Sequence, residues 1–210
     1  MAHIAGTTTA TKFEVTLADL RRAGACFDGY NMLVRSLQGR EFSASDSIRE
    51  TYIHFRHDAP IPLKHILESN GVGDAVWALQ CVPGADRDER MFSVWCVHRV
   101  KHLMTDQRSQ DALKVAERFA NGRATEEERA VAHDAAQSVA WAAAGAAAKA
   151  VAWAAAYAAS WDTSRAAAWA ASAAGGGGGA WTPVMAAARA AQAQMFIRMC
   201  EGTAPWQEAA

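Results

Sequence analysis

The sequence lacks an excess of either charge. Sixteen basic and 15 acidic residues lie before residue 124, and five basic and seven acidic residues follow it. Nucleic-acid-binding proteins need a clustered basic surface, and DNA mimics need an acidic one. The charges here are balanced and dispersed, so we expect no direct sequence-specific binding of nucleic acid.

Cysteines are few and far apart, with no CxxC pair and no metal-ligand spacing: Cys26, Cys81, Cys96 and Cys200. Scattered cysteines favour small core residues in a reducing compartment, so we expect a cytoplasmic protein. Cys26 lies near a predicted helix start, where a thiolate could be stabilised, but its apolar neighbours favour burial.

Targeting and membrane-spanning segments are also lacking. Residues 1–12 have no charged start followed by an apolar run, so they predict a flexible N-terminal arm rather than a signal peptide. The stretch from Val139 to Trp161 is long enough to cross a bilayer. Alanine is nearly neutral on insertion scales, however, and Lys149 lies in the middle, so no membrane span is expected.

No catalytic motif is present in the sequence. There is no Gly-x-Ser-x-Gly and no HExxH, and the run Gly175–Gly179 lacks the Gly-Lys-Ser/Thr ending of a phosphate loop. We therefore predict a flexible joint there, no catalytic residue and no cofactor. At helical spacing, His98 with His102, or His54 with His57, could supply two ligands of a metal site. A metal-dependent enzyme using His98 and His102 stays open as an alternative.

Alanine is what the sequence has in abundance, with 25 of the 45 residues between Ala130 and Ala174. Alanine has the highest helix propensity, so this region is predicted to be helical. Thr125 and Glu128 form a capping box at its start, and Gly145 and Ser160–Ser164 are the expected interruptions. Thr182 is the predicted cap of a last helix that ends near Cys200.

The first half also shows helical periodicity and no convincing alternating strand, although Thr7–Val15 could be one short strand or an arm. We predict an all-α bundle of eight to nine helices. Helices in this half are expected from Leu17, over Tyr30–Leu37, Ile48–His57, Leu63–Ser69, Ala75–Val82, Arg87–Met104 and Asp106–Ala120. Thr16 is the predicted cap of the first of these helices, and Ser45 or Ser47 is the predicted cap of the helix over Ile48–His57. The expected organisation is an N-terminal helical part (13–124), an Ala-rich helical part (125–202) and a tail (203–210), within one compact domain.

Large aromatic residues punctuate the alanines. Trp153, Tyr157 and Trp161 are spaced at i, i+4 and i+8, and the simplest interpretation is a core seam between long helices. The alternative is that aromatic and charged residues near the glycine joint bind a partner, because aromatic residues are favoured at binding hot spots. The partner-binding residues predicted on this basis are Trp161, Asp162, Arg165, Trp169 and Trp181.

Three segments resemble one known family. The opening Leu17-x-Asp19-Leu20, Gly24-Ala25-Cys26 and Asp28-Gly29 resembles the start of the immunity proteins of bacterial polymorphic toxin systems, which also occur in phages. The block from Asp106-x-Arg108 to Ala116-Glu117-Arg118-Phe119, with Gly122 and Thr125, is similar to their middle segment. The run from Ala140-Trp141 to Ala168-Trp169-Ala170 is similar to their C-terminal part.

The resemblance implies a small helical protein that binds and neutralises another protein, and it supplies no catalytic residues. The expected function is therefore a non-catalytic inhibitor of a toxin or a bacterial defence effector. A phage-encoded antagonist of a defence system, such as an anti-CRISPR protein, is the related alternative. A self-associating structural protein is a third possibility, and the sequence leaves the oligomeric state open.

Overall fold

Helices account for most of the chain in the computed structural model, which describes residues 13–160, 162–178 and 182–207. Its eleven α-helices are α1 (Leu17–Arg22), α2 (Phe27–Leu37), α3 (Ala44–Ser47), α4 (Leu63–Asn70), α5 (Val72–Ala78), α6 (Asp86–His98), α7 (Gln107–Ala120), α8 (Glu126–Ala142), α9 (Ala146–Ala158), α10 (Thr163–Ala174) and α11 (Pro183–Cys200). Nine of them have seven or more residues, so the predicted all-α class is confirmed.

One very short sheet accompanies the helices. Strand β1 (Glu14–Val15) pairs antiparallel with β2 (Ile61–Pro62), with Val15 opposite Ile61. Of the predicted segment Thr7–Val15, Glu14 and Val15 form a strand, and residues 1–12 lie outside the described part of the chain.

Local capping signals define several helix ends as the sequence predicts. Thr125 and Glu128 form the expected capping box of α8, and Thr16 forms another with Asp19 at the start of α1. Thr182 accepts a hydrogen bond from the Met185 amide at the start of α11. The Ala-rich region breaks at Gly145 and again before α10, so it forms three helices rather than one rod.

Helix α9 lies at the centre of the bundle and packs against α6, α7, α8 and α10. Eight of its 13 residues are buried, and six of those eight are alanines. Alanine side chains let neighbouring backbones come close on every side, which a helix lined with leucine would prevent. From Phe13 to Trp206, the buried hydrophobic residues form one continuous core.

The prediction of a helix over Ile48–His57 is wrong. Ser43, rather than Ser45 or Ser47, caps the four-residue helix α3, and residues 49–60 follow an irregular path that is neither helix nor strand. The buried side chain of Asn31 on α2 holds this segment: its Nδ2 donates to the Thr51 carbonyl (3.0 Å), and its Oδ1 accepts from the Ile53 amide (2.8 Å).

The helix predicted for Arg87–Met104 is shorter than expected. It ends at His98, and only a 3-10 turn at Lys101–Leu103 follows. Val100 leaves helical geometry, with φ −113° and ψ 8°, and its side chain is buried. His98 and His102 therefore do not share the face of one α-helix.

The predicted tail also packs against the bundle as far as it is described. Ala204 and Trp206 are buried, and the indole Nε1 of Trp206 donates to Asp88 Oδ1 on α6 at 2.9 Å. The Gln207 amide donates to the same oxygen at 2.7 Å. Residues 203–207 thus close the end of the core beside α6.

Candidate functional site

Four aromatic side chains from three consecutive helices come together in the Ala-rich half, where three of the rings contact the fourth, that of Trp153. We call them the aromatic row: Trp141 on α8, Trp153 and Tyr157 on α9, and Trp169 on α10. They come together because α8 and α10 both pack against the central helix α9.

The row is centred on a buried tryptophan. Trp153 is 8% exposed, and the interpretation of this position as a core seam is what the structure shows. The Tyr157 ring stacks on it with centroids 5.5 Å apart, and Trp169 stacks at 6.3 Å. Tyr157 and Trp169 are each half-buried, so the row runs from the core to the surface.

Trp141 forms the solvent-exposed end of the row. Its ring meets Trp153 edge-on with centroids 5.2 Å apart, yet 68% of its surface remains exposed. The following turn between α8 and α9 consists of small residues, and Ala144, Gly145 and Ala146 are exposed as well. A large aromatic ring therefore projects from a surface of small side chains.

Two cations lie on the rings of the row. Lys149 Nζ is 6.0 Å from the centroid of Trp141, and Arg165 Cζ is 5.5 Å from that of Tyr157. Tryptophan, tyrosine and arginine are the residue types that dominate binding energy at protein interfaces. The arrangement suits recognition of another macromolecule's surface.

Local hydrogen bonds fix the start of α10 beside the row. Asp162 caps the helix, and its Oδ1 accepts from the Arg165 amide at 3.0 Å. Asp162 Oδ2 also pairs with Arg165 Nε at 3.1 Å. Thr163 Oγ1 donates to the Glu89 carbonyl on α6 at 3.4 Å, so the first turn of α10 is anchored to α6.

Glu89 lies on α6 beside this anchor, and the pKa of its carboxyl group is raised. Burial raises its pKa to about 7, against the lowering effect of its hydrogen bond with Thr163, and the nearby carboxylates of Asp86 and Asp162 raise it further. A carboxyl group close to the start of α10 is thus protonated over part of the neutral range.

The glycine run lies next to the same turn. Gly177 has φ +76°, and a Cβ built there would be 2.2 Å from the Ala146 carbonyl oxygen, so only glycine fits this close approach to the start of α9. Gly177 therefore packs against the start of α9, although the sequence predicts a plain linker. Flexibility of this segment stays a prediction.

The five residues predicted to bind a partner have different positions. Trp169 belongs to the aromatic row, and Asp162 and Arg165 lie at its edge. Trp161 and Trp181 lie outside the described residues. Helix α9 ends at Ala158, so the spacing that puts Trp161 on one helical stripe with Trp153 does not apply.

Sequence reasoning missed Trp141 as the exposed member of the row. The signal was present, because the buried face of α8 consists of Ala132, Ala136 and Ala140 at i, i+4 and i+8. Trp141 is one residue beyond that face, which turns its ring about 100° away from it.

The histidine pairs do not assemble a metal site in the described part of the chain. His98 Nε2 lies 3.5 Å from Glu117 Oε2 on α7, and His54 and His57 lie in the irregular segment 49–60 rather than on a helix. Among the described residues, no group of three or more His, Cys, Asp or Glu side chains is placed to hold a metal ion. This geometry offers the metal-enzyme alternative no ligand set.

Comparison with known proteins gives no match to a protein-family model, a characterised protein or a solved structure. Within the described residues, no helix combines the length and the apolar character that crossing a membrane requires.

Proposed function

We propose that this chain is a non-catalytic, protein-binding inhibitor of the immunity type, which neutralises a toxin or a bacterial defence effector by covering part of its surface. The observation that carries the proposal is the aromatic row with its exposed end. Trp141 is 68% exposed while its neighbour Trp153 is 8% exposed, so a surface tryptophan is held in place by a buried one.

The support for a binding role is energetic. A tryptophan that is already ordered by contact with the core loses little conformational entropy on binding, so more of its buried area contributes to affinity. The small residues of the α8–α9 turn leave room for a partner to surround the ring. Surrounding contacts that exclude water are a property of interface hot spots.

The balanced charge favours a protein target over imitation of DNA. Lys149 and Arg165 are two of only five basic residues after residue 124, and both lie over rings of the aromatic row. We propose that the protein acts in the cytoplasm. The resemblance to immunity proteins favours a toxin as the target. A bacterial defence effector is the favoured target for a phage-encoded protein.

The test compares two exposed apolar residues on α8. The partner is captured from the native host with the full chain, identified by mass spectrometry, purified and titrated against Trp141→Ala and Val131→Ala. Val131 is 65% exposed on the same helix and lies outside the row. We expect Trp141→Ala to weaken binding by about 30-fold or more, and Val131→Ala to change it by less than about threefold.

Both variants should keep the helical circular dichroism of the parent chain, because both side chains are mostly exposed. The captured partner should also lose its own activity when the parent chain is bound. Equal affinities for Trp141→Ala and the parent chain would refute the role of the row. A partner that remains fully active in the complex would refute inhibition.

A further inference from the structure

A cavity of about 420 Å³ lies in the N-terminal part of the chain, where the α1–α2 turn meets α4 and α5. Most of its wall is apolar and comes from Leu20, Tyr30, Leu33, Ile66, Trp77 and Ala78. Leu20, Tyr30 and Leu33 are themselves almost fully buried, so the floor is part of the core. Pockets that bind small molecules have this size and character, at about 300–1,000 Å³.

One end of the cavity is polar and carries a single carboxylate. Asn70 Nδ2 donates to Asp74 Oδ2 at 2.9 Å and to the Gly29 carbonyl at 2.7 Å, which fixes the position of both side chains. A Cβ built on Gly29 would lie 2.5 Å from Asp74 Oδ2. The absence of a side chain at residue 29 is therefore what lets the carboxylate lie against the first turn of α2.

The charge of the cavity selects the class of ligand. Among the described residues that line it, Asp74 is the only charged one. The carboxylate of Asp74 would repel an anionic ligand. A cationic ligand instead gains a charge-assisted hydrogen bond with this half-buried carboxylate. The indole ring of Trp77 on the wall offers a second attraction for a cation through its π face.

We propose that this cavity binds a small organic amine, with its apolar body between Leu33 and Trp77 and its protonated nitrogen on Asp74. The site is separate from the aromatic row and does not depend on the proposed inhibitory function. It would make the chain responsive to a small molecule as well as to a protein.

Cys26 provides a reporter inside the site. Its thiol lines the cavity and is exposed, although the sequence favours burial, and its Sγ accepts a hydrogen bond from the Gly29 amide at 3.4 Å. Cys96 and Cys200 are buried, and burial raises the pKa of both thiols, that of Cys200 to about 12. Burial also raises the pKa of the half-buried Cys81. Iodoacetamide should therefore alkylate Cys26 first.

The experiment uses the full chain and 2-phenylethylamine as the probe. Calorimetric titration gives its affinity, and mass spectrometry follows alkylation of Cys26 with and without it. The uncharged 2-phenylethanol and the anionic 3-phenylpropionate are the matched probes. We expect the amine to bind at least about tenfold more tightly than the alcohol, and the difference in affinity from the carboxylate to be larger still. Bound amine should also slow alkylation of Cys26.

Three variants separate the ligand site from general effects on folding. Asp74→Asn should remove the preference for the amine over the alcohol. Gly73→Leu should block both probes, because Gly73 lines the cavity and a leucine side chain there takes up space that the ligand needs. The variant should still fold, because a Cβ at residue 73 meets no atom within 4 Å and leucine is a good helix former in α5. Asp28→Asn alters an exposed carboxylate outside the cavity and should leave binding unchanged.

The proposal is overturned if none of the probes binds at millimolar concentration, or if the amine and the alcohol bind equally well. It is also overturned if Asp28→Asn weakens amine binding as much as Asp74→Asn does, because the carboxylate of the cavity would then have no special role. Each of these outcomes leaves the test of the aromatic row unaffected.

Discussion

At the scale of single residues, Glu89 couples the packing of α6 and α10 to pH. Its carboxyl group is largely buried beside Thr163, and its pKa of about 7 in the folded chain lies well above the ordinary value of 4.5. Asp86 and Asp162 oppose its ionisation, and Arg90 favours it. The folded state therefore holds this proton at pH values where the unfolded chain has released it.

The consequence is a loss of stability as the pH rises from about 4.5 to about 7, with no further change from this group above that window. Glu89→Gln keeps the shape and removes the charge. Allowing for partial exposure, we expect the variant to be more stable than the parent chain at pH 8 by on the order of 1–2 kcal/mol.

Urea unfolding at pH 4 and pH 8 checks this expectation. The two chains should unfold at similar urea concentrations at pH 4, where the parent glutamate is protonated in both states, which makes the low-pH comparison an internal control. A gap of the same size at both pH values would contradict the assignment to ionisation and point to altered packing.

At the scale of elements, the segment 49–60 shows how one buried side chain replaces regular backbone pairing. Asn31 is fully buried, and its amide bonds both the Thr51 carbonyl and the Ile53 amide, much as a neighbouring strand would. The Tyr52 hydroxyl donates to the Ala25 carbonyl at 2.6 Å and adds a second attachment. An irregular segment is thereby held against α2.

Replacing Asn31 by leucine should release this segment. The substitution preserves volume but leaves the buried Ile53 amide without its acceptor, and we expect a loss of about 2–3 kcal/mol in the free energy of unfolding. Trypsin should then cleave faster at Arg56, whose side chain is 91% exposed. Ser47→Ala, at an exposed site just before the segment, is the matched control and should not accelerate cleavage.

The same segment shows where sequence analysis stops. Caps such as Thr16 and Thr125 bond to residues three positions away, so the sequence predicts the helices that they start. Asn31, which holds the 49–60 segment, lies on α2 about 20 residues earlier in the chain, and no local sequence pattern predicts this contact. Ile48, Tyr52 and Phe55 have helical spacing, but Asn31 overrides that preference.

The candidate site was partly predictable for the same reason. The sequence shows that tryptophans punctuate the alanines and that Trp169 and Arg165 lie near a break between helices. Which ring is buried depends on how α8 and α9 pack, and this packing placed Trp153 inside and Trp141 outside. The cavity at Asp74 is lined by residues of five helices and of the α1–α2 turn, so no local sequence pattern predicts it.

At the scale of the whole molecule, the C-terminal residues fasten the two halves of the chain together. Trp206 is 6% exposed and bonds Asp88 on α6 through its indole nitrogen, and Arg87 donates to the Trp206 carbonyl at 2.9 Å. These contacts join residues more than 110 positions apart. Ala204 and Trp206 thus belong to the same core as Phe13.

Trp206→Ala should therefore destabilise the entire fold rather than fray one end. We expect a loss of about 3–5 kcal/mol from the vacated space, and a melting temperature lower by roughly 10 °C. Trp206→Phe should cost less, about 1–3 kcal/mol, because it mainly removes the hydrogen bond to Asp88.

Thermal unfolding followed by circular dichroism measures both effects. Trp141→Ala removes a tryptophan that is mostly exposed and should leave the melting temperature almost unchanged. A melting temperature for Trp206→Ala equal to that of Trp141→Ala would show that the C-terminal contacts contribute little to the fold.

The central position of α9 also restricts which substitutions this chain can accept during evolution. Where neighbouring helices enclose α9, six of its eight buried positions carry alanine, so the choice of residue there is restricted by the available volume rather than by ancestry. Unrelated proteins under the same geometric restriction would converge on similar strings of alanine. Evidence of common ancestry is therefore better sought in the residues of pockets and turns, where packing restricts the choice of side chain less, than in the alanines.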